Sequence, residues 1–133
     1  MSTILITGSS GLLGSSLVPY LKQLNYRVIT HACNSEADFM FDLTDQVKSL
    51  DFLEKINPDL IINLASLTSV ELCEENMNFS YLVNTKIVEN LVCWMLKSKK
   101  SHLIQISTDH VYDGDGLHSE DKVNLTNNYA FSV

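Results

Sequence analysis

Gly8, Gly11 and Gly14 follow one another at three-residue spacing, directly after the apolar run 4–7 and at the start of a stretch, 12–24, whose apolar residues recur at helical intervals. Strand, glycine turn, helix is the context that separates a phosphate-cradling loop from a chance run of glycines. Each position makes its own demand: Gly8 permits the sharp turn, Gly11 lets the backbone approach a pyrophosphate where a side chain would collide, and Gly14 allows the helix to pack close. The helix start presents unpaired N–H groups to an anion, and the hydroxyls of Ser9 and Ser10 can add donors. Gly8, Ser10, Gly11, Leu12 and Leu13 are therefore the candidate contacts to a dinucleotide. A tight turn with no ligand is the plainer alternative.

The rest of the chain repeats the alternation. Residues 26–30 read as a second strand and 39–41 as a very short third, while Pro19 is expected to kink or loosen the first helix. Within 44–56, Val47, Leu50, Leu53 and Ile56 recur every three residues, and Asn57-Pro58 stops that helix. The unbroken apolar run 60–64 is of the kind buried on both faces of a parallel sheet. A long helix is predicted over much of 76–97, with Phe79, Leu82, Val83, Ile87, Leu91 and Met95 as its core stripe. A fifth strand follows at 103–107, then a polar loop, 109–128, with tight turns at Asp113-Gly114-Asp115-Gly116 and Asn127-Asn128.

These elements predict an α/β fold: a Rossmann-like, doubly wound parallel sheet built from right-handed βαβ units and reaching only to about the fifth strand. Nothing divides the chain, so residues 1–133 are expected to form one dinucleotide-binding domain. With strand order 3-2-1-4-5 the last strand is an exposed edge, apolar on both faces, through which self-association or a homo-oligomer is expected.

A formal charge of −7 argues against a nucleic-acid partner, which draws on clustered cations. The single basic run, 97–100, suits a helix C-terminus. Cys33, Cys73 and Cys93 are odd in number and far apart, so they read as buried thiols of a reducing compartment; His31 and Cys33 alone do not make a metal site, and no metal is expected. With no signal-like N-terminus and no apolar run long enough to span a bilayer, a soluble cytoplasmic protein with no membrane partner is expected.

Cofactor choice in such folds turns on the end of the second strand, where an acid meets the ribose 2′-hydroxyl of NAD and a base the 2′-phosphate of NADP. Thr30-His31-Ala32-Cys33-Asn34 supplies neither. The missing acid removes a repulsion, so the expectation tilts to NADP with NAD kept open. Asp42, with Leu43, is placed to meet an adenine; capping the helix that begins near Thr44 is an equal reading of Asp42. Asp109 and Asp113 do not suggest paired acid/base carboxylates, since an Asp beside Gly is turn chemistry.

Residues 7–14, Asp42-Leu43, Asn63-Leu64-Ala65-Ser66, Asn84 and above all Ser107-Thr108-Asp109-His110-Val111-Tyr112-Asp113-Gly114 together resemble the dTDP-4-dehydrorhamnose reductase family, a branch of the extended short-chain dehydrogenases, over essentially the whole chain. His110 stands where that family usually shows an aromatic Tyr. The resemblance implies NAD(P)H-dependent reduction of a 4-keto-deoxysugar nucleotide for polysaccharide biosynthesis. Thr108 would hydrogen-bond the substrate carbonyl and Tyr129 would donate the proton. Asn63, Ala65, Ser66 and Tyr129 would join the cofactor site, and Thr68, Val70 and Asp109 would face the nucleotide sugar. Asn84 would have a structural part in the active site, or else be a solvent-facing helix residue.

The family's lysine, four positions after the tyrosine, lowers the phenol from its reference value of about 10 and holds the nicotinamide ribose. Val133 occupies that position. The chain is accordingly expected to be an N-terminal, truncated portion that is catalytically incomplete alone, with no length left for a helix around Tyr129. The alternatives are a non-catalytic dinucleotide-binding module, like the regulatory subunit of methionine adenosyltransferase, and another extended enzyme such as a sugar-nucleotide epimerase.

Overall fold

The computed structural model describes residues 2–98 and 100–133. Five strands, β1 (Thr3–Thr7), β2 (Arg27–Ala32), β3 (Phe39–Met40), β4 (Leu60–Asn63) and β5 (His102–Gln105), form one sheet in the order β3-β2-β1-β4-β5. All four pairings are parallel. The helices are α1 (Leu12–Gln23), α2 (Gln46–Ile56), α3 (Val70–Glu75), α4 (Met77–Ser80), α5 (Ile87–Ser98) and α6 (Asn128–Ser132), with a π-helical turn, Tyr81–Lys86, joining α4 to α5 and a 3₁₀ turn at Asp109–Val111. The predicted α/β class and strand order are those observed. No helix among the described residues is long and apolar enough to cross a membrane.

Strand β1 shows why the sheet needs two covered faces. Leu5 packs with Ile29, Ile61, Phe52, Leu53, Leu91 and Trp94 beneath α2 and α5, while Ile4 and Ile6 turn the other way, with Ile62, onto Leu17, Val18 and Leu21 of α1. Polar ties fix the first layer: the Asn90 amide donates to the Leu43 carbonyl at 2.9 Å, and the Trp94 indole N–H to Glu54 at 3.1 Å. The outer part of the α1 face has no such cover among the described residues. Ile104 on β5 and Ile106 beyond it stay nearly half exposed, as expected of an edge with an open face.

Several local expectations change. Helix α1 runs through Pro19 without a break in its helical span, Pro19 being exposed on its outer side. In α2 the buried residues are Ser49, Phe52 and Leu53, and Val47 is exposed, because a strict three-residue repeat drifts off a 3.6-residue face. Asp45, not Asp42, caps α2 by accepting from the Lys48 N–H, while Asp42 accepts from the Thr44 N–H at 2.9 Å in a turn just before it. Asn57 closes α2 in the left-handed region at φ 44°, a conformation asparagine tolerates at a helix C-terminus. Cys73 is buried, but Cys33 and Cys93 are exposed, against the expectation of three buried thiols.

The loop after β2 returns on a clasp. The Asp38 carboxylate accepts from the Thr30 N–H at 2.9 Å and its hydroxyl at 2.8 Å, and the Asp38 N–H donates back to that hydroxyl oxygen. These donors hold the Asp38 carboxyl below the ordinary aspartate value, chiefly through the backbone N–H of Thr30. A lowered folded value makes the contribution to stability complete above the unfolded pKa of about 3.9 and lost as pH falls through the folded one. Asp38→Asn is therefore expected to lower the melting temperature near neutrality and to flatten its decline below about pH 4, as followed by circular dichroism across a pH series.

The glycine loop yields a second expectation. A Cβ on Gly14 would lie 2.3 Å from the Ser9 carbonyl oxygen, whereas one on Gly11 would meet only the Gly8 oxygen, at 3.3 Å. Gly14→Ala should lower the urea midpoint by the equivalent of about 1–3 kcal/mol, with Gly11→Ala close to wild type.

Candidate functional site

The strand order reverses between β1 and β4, so the chain leaves these neighbours in opposite directions and opens a crevice over their C-terminal ends. Gly8 stands at that point with φ 61°, and a Cβ there would sit 2.7 Å from the backbone of Leu64 and Ala65. The loop is thus pressed against the end of β4. Gly11 precedes α1 in extended backbone, no side chain caps this helix, and Leu12 and Leu13 are exposed at its start. The unpaired N–H groups of the first turn are left to a ligand.

Two hollows flank the loop and share Gly8, Gly11, Leu64, Ala65 and Ser66. One, of about 460 Å³, runs past Ser10, His31, Asn34, Asp42 and Leu43 to an apolar wall of Phe79, Leu82, Val83 and Ile87. The other, of about 410 Å³, lies under Leu12 and Leu13 and reaches Asn63, Thr68, Gln105, Ser107, Tyr129 and Val133. Of the residues singled out from the sequence, Gly8, Ser10, Gly11, Leu12, Leu13, Asp42, Leu43, Asn63, Ala65, Ser66, Thr68 and Tyr129 therefore stand along one crevice.

Thr108, Val70 and Asp109 are not among its lining residues. Val70 opens α3, and the Thr108 hydroxyl caps the 3₁₀ turn by accepting from the His110 N–H at 3.2 Å. Asp109 is exposed beside it. The link between this turn and Tyr129 is His110, whose ring meets the Tyr129 ring edge-on at 5.3 Å and whose Nδ1 lies 3.3 Å from the Asn127 amide. Asn63, though at the crevice, has its side chain engaged: it accepts from the Thr7 hydroxyl and donates to Gln105 at 2.7 Å. Thr7, Asn63 and Gln105 share one register row, so a polar rung crosses three strands beneath the crevice floor.

Phe79 and Leu82 were expected in the core, yet both are more than two-fifths exposed and face the crevice. The π-helical turn explains the change, since an extra residue in one turn rotates the apolar stripe that an unbroken helix would bury. It also carries Asn84 inward to 3% exposure, against a solvent-facing reading. The Asn84 carbonyl oxygen accepts from the Leu67 N–H at 2.7 Å and the Ser66 hydroxyl at 3.0 Å; its amide donates to the Leu67 carbonyl and, at 2.9 Å, to Ser132 Oγ.

Ser132 lies in α6 with Tyr129, so one amide ties the crevice loop to the tyrosine's helix. Ser80 Oγ pairs with Ser132 Oγ at 2.7 Å, and the Thr85 hydroxyl donates to the Ser132 carbonyl at 2.8 Å. At the other end of α6, Glu74 accepts from the Asn128 N–H and amide, and Asn127 caps the helix through the Ala130 N–H. A helix therefore does form around Tyr129: tertiary hydrogen bonds hold a single turn that would be marginal in isolation. Sequence reasoning missed Ser80, Thr85 and Ser132, and the one available signal was Ser132, three residues beyond Tyr129 on the same helix face.

Replacing Asn84 by Leu would leave the Leu67 N–H without its side-chain acceptor and take one partner each from the Leu67 carbonyl and the Ser66 and Ser132 hydroxyls. The expected cost is about 1–3 kcal/mol in urea unfolding, with faster proteolysis near α6, and Asn84→Asp should not restore the amide's bond to Ser132.

Comparison with known proteins agrees with this architecture. Residues 1–132 match the family model described as the RmlD substrate binding domain. The chain is 32% identical over 122 residues to a probable low-salt glycan biosynthesis reductase of Haloferax volcanii, covering 86% of this chain and 40% of that protein. It is 33% identical over 116 residues to a dTDP-4-dehydrorhamnose reductase of Aggregatibacter actinomycetemcomitans, covering 86% and 37%. Among solved structures, a hypothetical dTDP-4-dehydrorhamnose reductase from Sulfolobus tokodaii aligns with a TM-score of 0.90 at 38% identity, over 99% of this chain and 49% of that one. A dTDP-4-dehydrorhamnose reductase from Bacillus anthracis, solved in complex with NADP, aligns at 0.83 and 25% identity, over 99% and 46%. The chain thus spans about 40% of the length of the curated relatives it matches. It belongs to the RmlD substrate binding domain family.

Proposed function

We propose that residues 1–133 are the dinucleotide-binding and proton-donating unit of a nicotinamide-dependent reductase of 4-keto-deoxysugar nucleotides, of the dTDP-4-dehydrorhamnose to dTDP-rhamnose type, in polysaccharide biosynthesis. One observation carries the reading: the two hollows meet at the glycine loop, with an apolar wall and Asp42 at one end and Tyr129 at the other. That layout suits an adenosine, a pyrophosphate over the N-terminus of α1, and a nicotinamide, in that order. A bound reduced nicotinamide supplies hydride.

The chain's own residues supply the rest. Gly8, Ser10, Gly11, Leu12 and Leu13 bind the phosphates, Asp42 and Leu43 the adenosine, and Ala65 and Ser66 the path between. Asn63 acts through the polar rung it shares with Gln105 more than by direct contact. Tyr129 gives its phenolic proton to the oxygen that develops charge on reduction, and Thr108, after rotation away from the His110 N–H, hydrogen-bonds the same oxygen. Thr68, Val70 and Asp109 face the nucleotide sugar from the rim.

Val133 lines the crevice with Tyr129, and no lysine or arginine does so among the described residues. Binding without turnover is therefore proposed for the chain by itself, and the missing acid after β2 leaves NAD and NADP both admissible on that feature alone.

The test titrates NADH and NADPH against the purified chain by nucleotide fluorescence, then follows oxidation of each with a 4-keto nucleotide sugar. Binding is expected, weakened by Gly11→Ala, with turnover appearing only in a Val133→Lys chain extended by a relative's C-terminal half. Absence of binding to either nucleotide by a folded chain would refute the proposal.

A further inference from the structure

We infer, on the proton-donating role proposed above, that His110 is a positioning residue for Tyr129: its imidazole, oriented by the Asn127 amide, sets the plane of the phenol. Helix α6 fixes the backbone of Tyr129 from both ends, through Glu74 at Asn128 and through Asn84, Ser80 and Thr85 at Ser132. None of these bonds reaches the ring. Among the described residues no hydrogen bond holds the phenol oxygen, and the aromatic ring set against it is His110, edge-on at 5.3 Å.

The orientation of that imidazole follows from a helix cap. Asn127 closes the N-terminus of α6 by accepting from the Ala130 N–H at 2.8 Å, which commits its carbonyl oxygen. The amide nitrogen is therefore the end turned to His110, 3.3 Å from Nδ1. An NH₂ group can only donate. Nδ1 must accept, and the neutral ring carries its proton on Nε2. One asparagine thereby caps the helix that bears Tyr129 and orients the ring packed on Tyr129.

His110 also reaches the second hydroxyl of the proposed site. Its backbone N–H donates to Thr108 Oγ1 at 3.2 Å, at the start of the 3₁₀ turn. That turn is tied down in its own right: the Tyr112 N–H donates to the Asp109 carbonyl at 3.0 Å, and the Asn124 N–H to the Val111 carbonyl at 2.9 Å. A single residue thus touches both groups assigned to the reacting oxygen, Thr108 through its main chain and Tyr129 through its side chain.

Tyr129 is only half-buried and His110 is exposed, so close packing on all sides does not hold the phenol. Aromatic rings prefer an edge-to-face meeting, and an imidazole that cannot turn passes that preference to its neighbour. Proton donation needs the phenol oxygen within hydrogen-bond reach of its acceptor. Restricting the ring before substrate arrives removes an ordering cost from the reacting state, which is felt in the chemical step more than in binding.

The experiment follows the isotope-labelled full chain by NMR, with Tyr129→Phe to assign the ring signals and fluorescence titration of NADH and NADPH alongside. Neutral His110 should carry its proton on Nε2, and the Tyr129 ring signals should be displaced by the imidazole ring current. His110→Ala should abolish that displacement in a chain that still folds. Asn127→Ser keeps a cap for α6 but loses the amide, so the displacement should shrink. Asn127→Asp keeps the cap and offers Nδ1 an acceptor, so the proton should move to Nδ1 with the displacement retained. In the Val133→Lys chain extended by a relative's C-terminal half, His110→Ala and Asn127→Ser should lower kcat about tenfold with KM for the nucleotide sugar little changed. A proton on Nδ1 in the wild type, Tyr129 signals indifferent to His110→Ala and Asn127→Ser, or a raised KM at unchanged kcat would overturn the inference while leaving dinucleotide binding intact. Failure of a folded chain to bind either nucleotide would remove the underlying reading and this inference with it.

Discussion

The close approach of two backbones at Gly8 is the constraint from which the rest of this molecule follows. With φ at 61° and no room for a Cβ against Leu64 and Ala65, the chain turns sharply off β1 and lies across the end of β4. Gly14 then lets α1 settle on the Ser9 backbone. Together these contacts set the N-terminus of α1 over the gap between β1 and β4, where the sheet order reverses. Crevice, exposed first turn and apolar wall are placed relative to that fixed point.

A second layer of order is polar and buried. The rung Thr7, Asn63 and Gln105 exists because parallel pairing puts these three residues in one row, so their side chains meet without any local sequence signal. The Asn84 cluster arises differently, from a π-helical turn that costs regular helix geometry and gains four hydrogen bonds to the crevice loop and to Ser132. Buried amides satisfied on both sides hold a unique arrangement better than apolar contacts would, since a displaced partner leaves an unsatisfied group behind. Tyr129 inherits its position from that arrangement.

The open side of the sheet gives the same picture from its outer boundary. Strand β5 pairs only with β4 among the described residues, and Ile104 and Ile106 remain accessible. Apolar residues of this kind in a parallel sheet normally lie under a second helix layer. The matched relatives are more than twice as long as the segment they share with this chain.

Strand order, parallel pairing, the glycine turn and its line of crevice residues were legible in the sequence, because hydrophobic periodicity and glycine spacing are local consequences of burial and of backbone sterics. The apolar run of β4 is one case: only a strand covered on both faces tolerates Ile61 and Ile62 side by side, and both are buried. What sequence could not reach depends on atoms brought together from far along the chain. Phe79 and Leu82 left the core stripe because a wide turn rotated them, and α6 formed because Glu74, Thr85 and Asn84 hold it. The His31 imidazole is pushed below the ordinary histidine value because burial among aromatic rings desolvates it, with the Phe41 carbonyl, ten residues on, 3.0 Å from Nε2. Local sequence determines which segments must be strand, turn or helix; the protonation and orientation of a site residue belong to the packed state, since they depend on desolvation and on partners that only tertiary folding supplies.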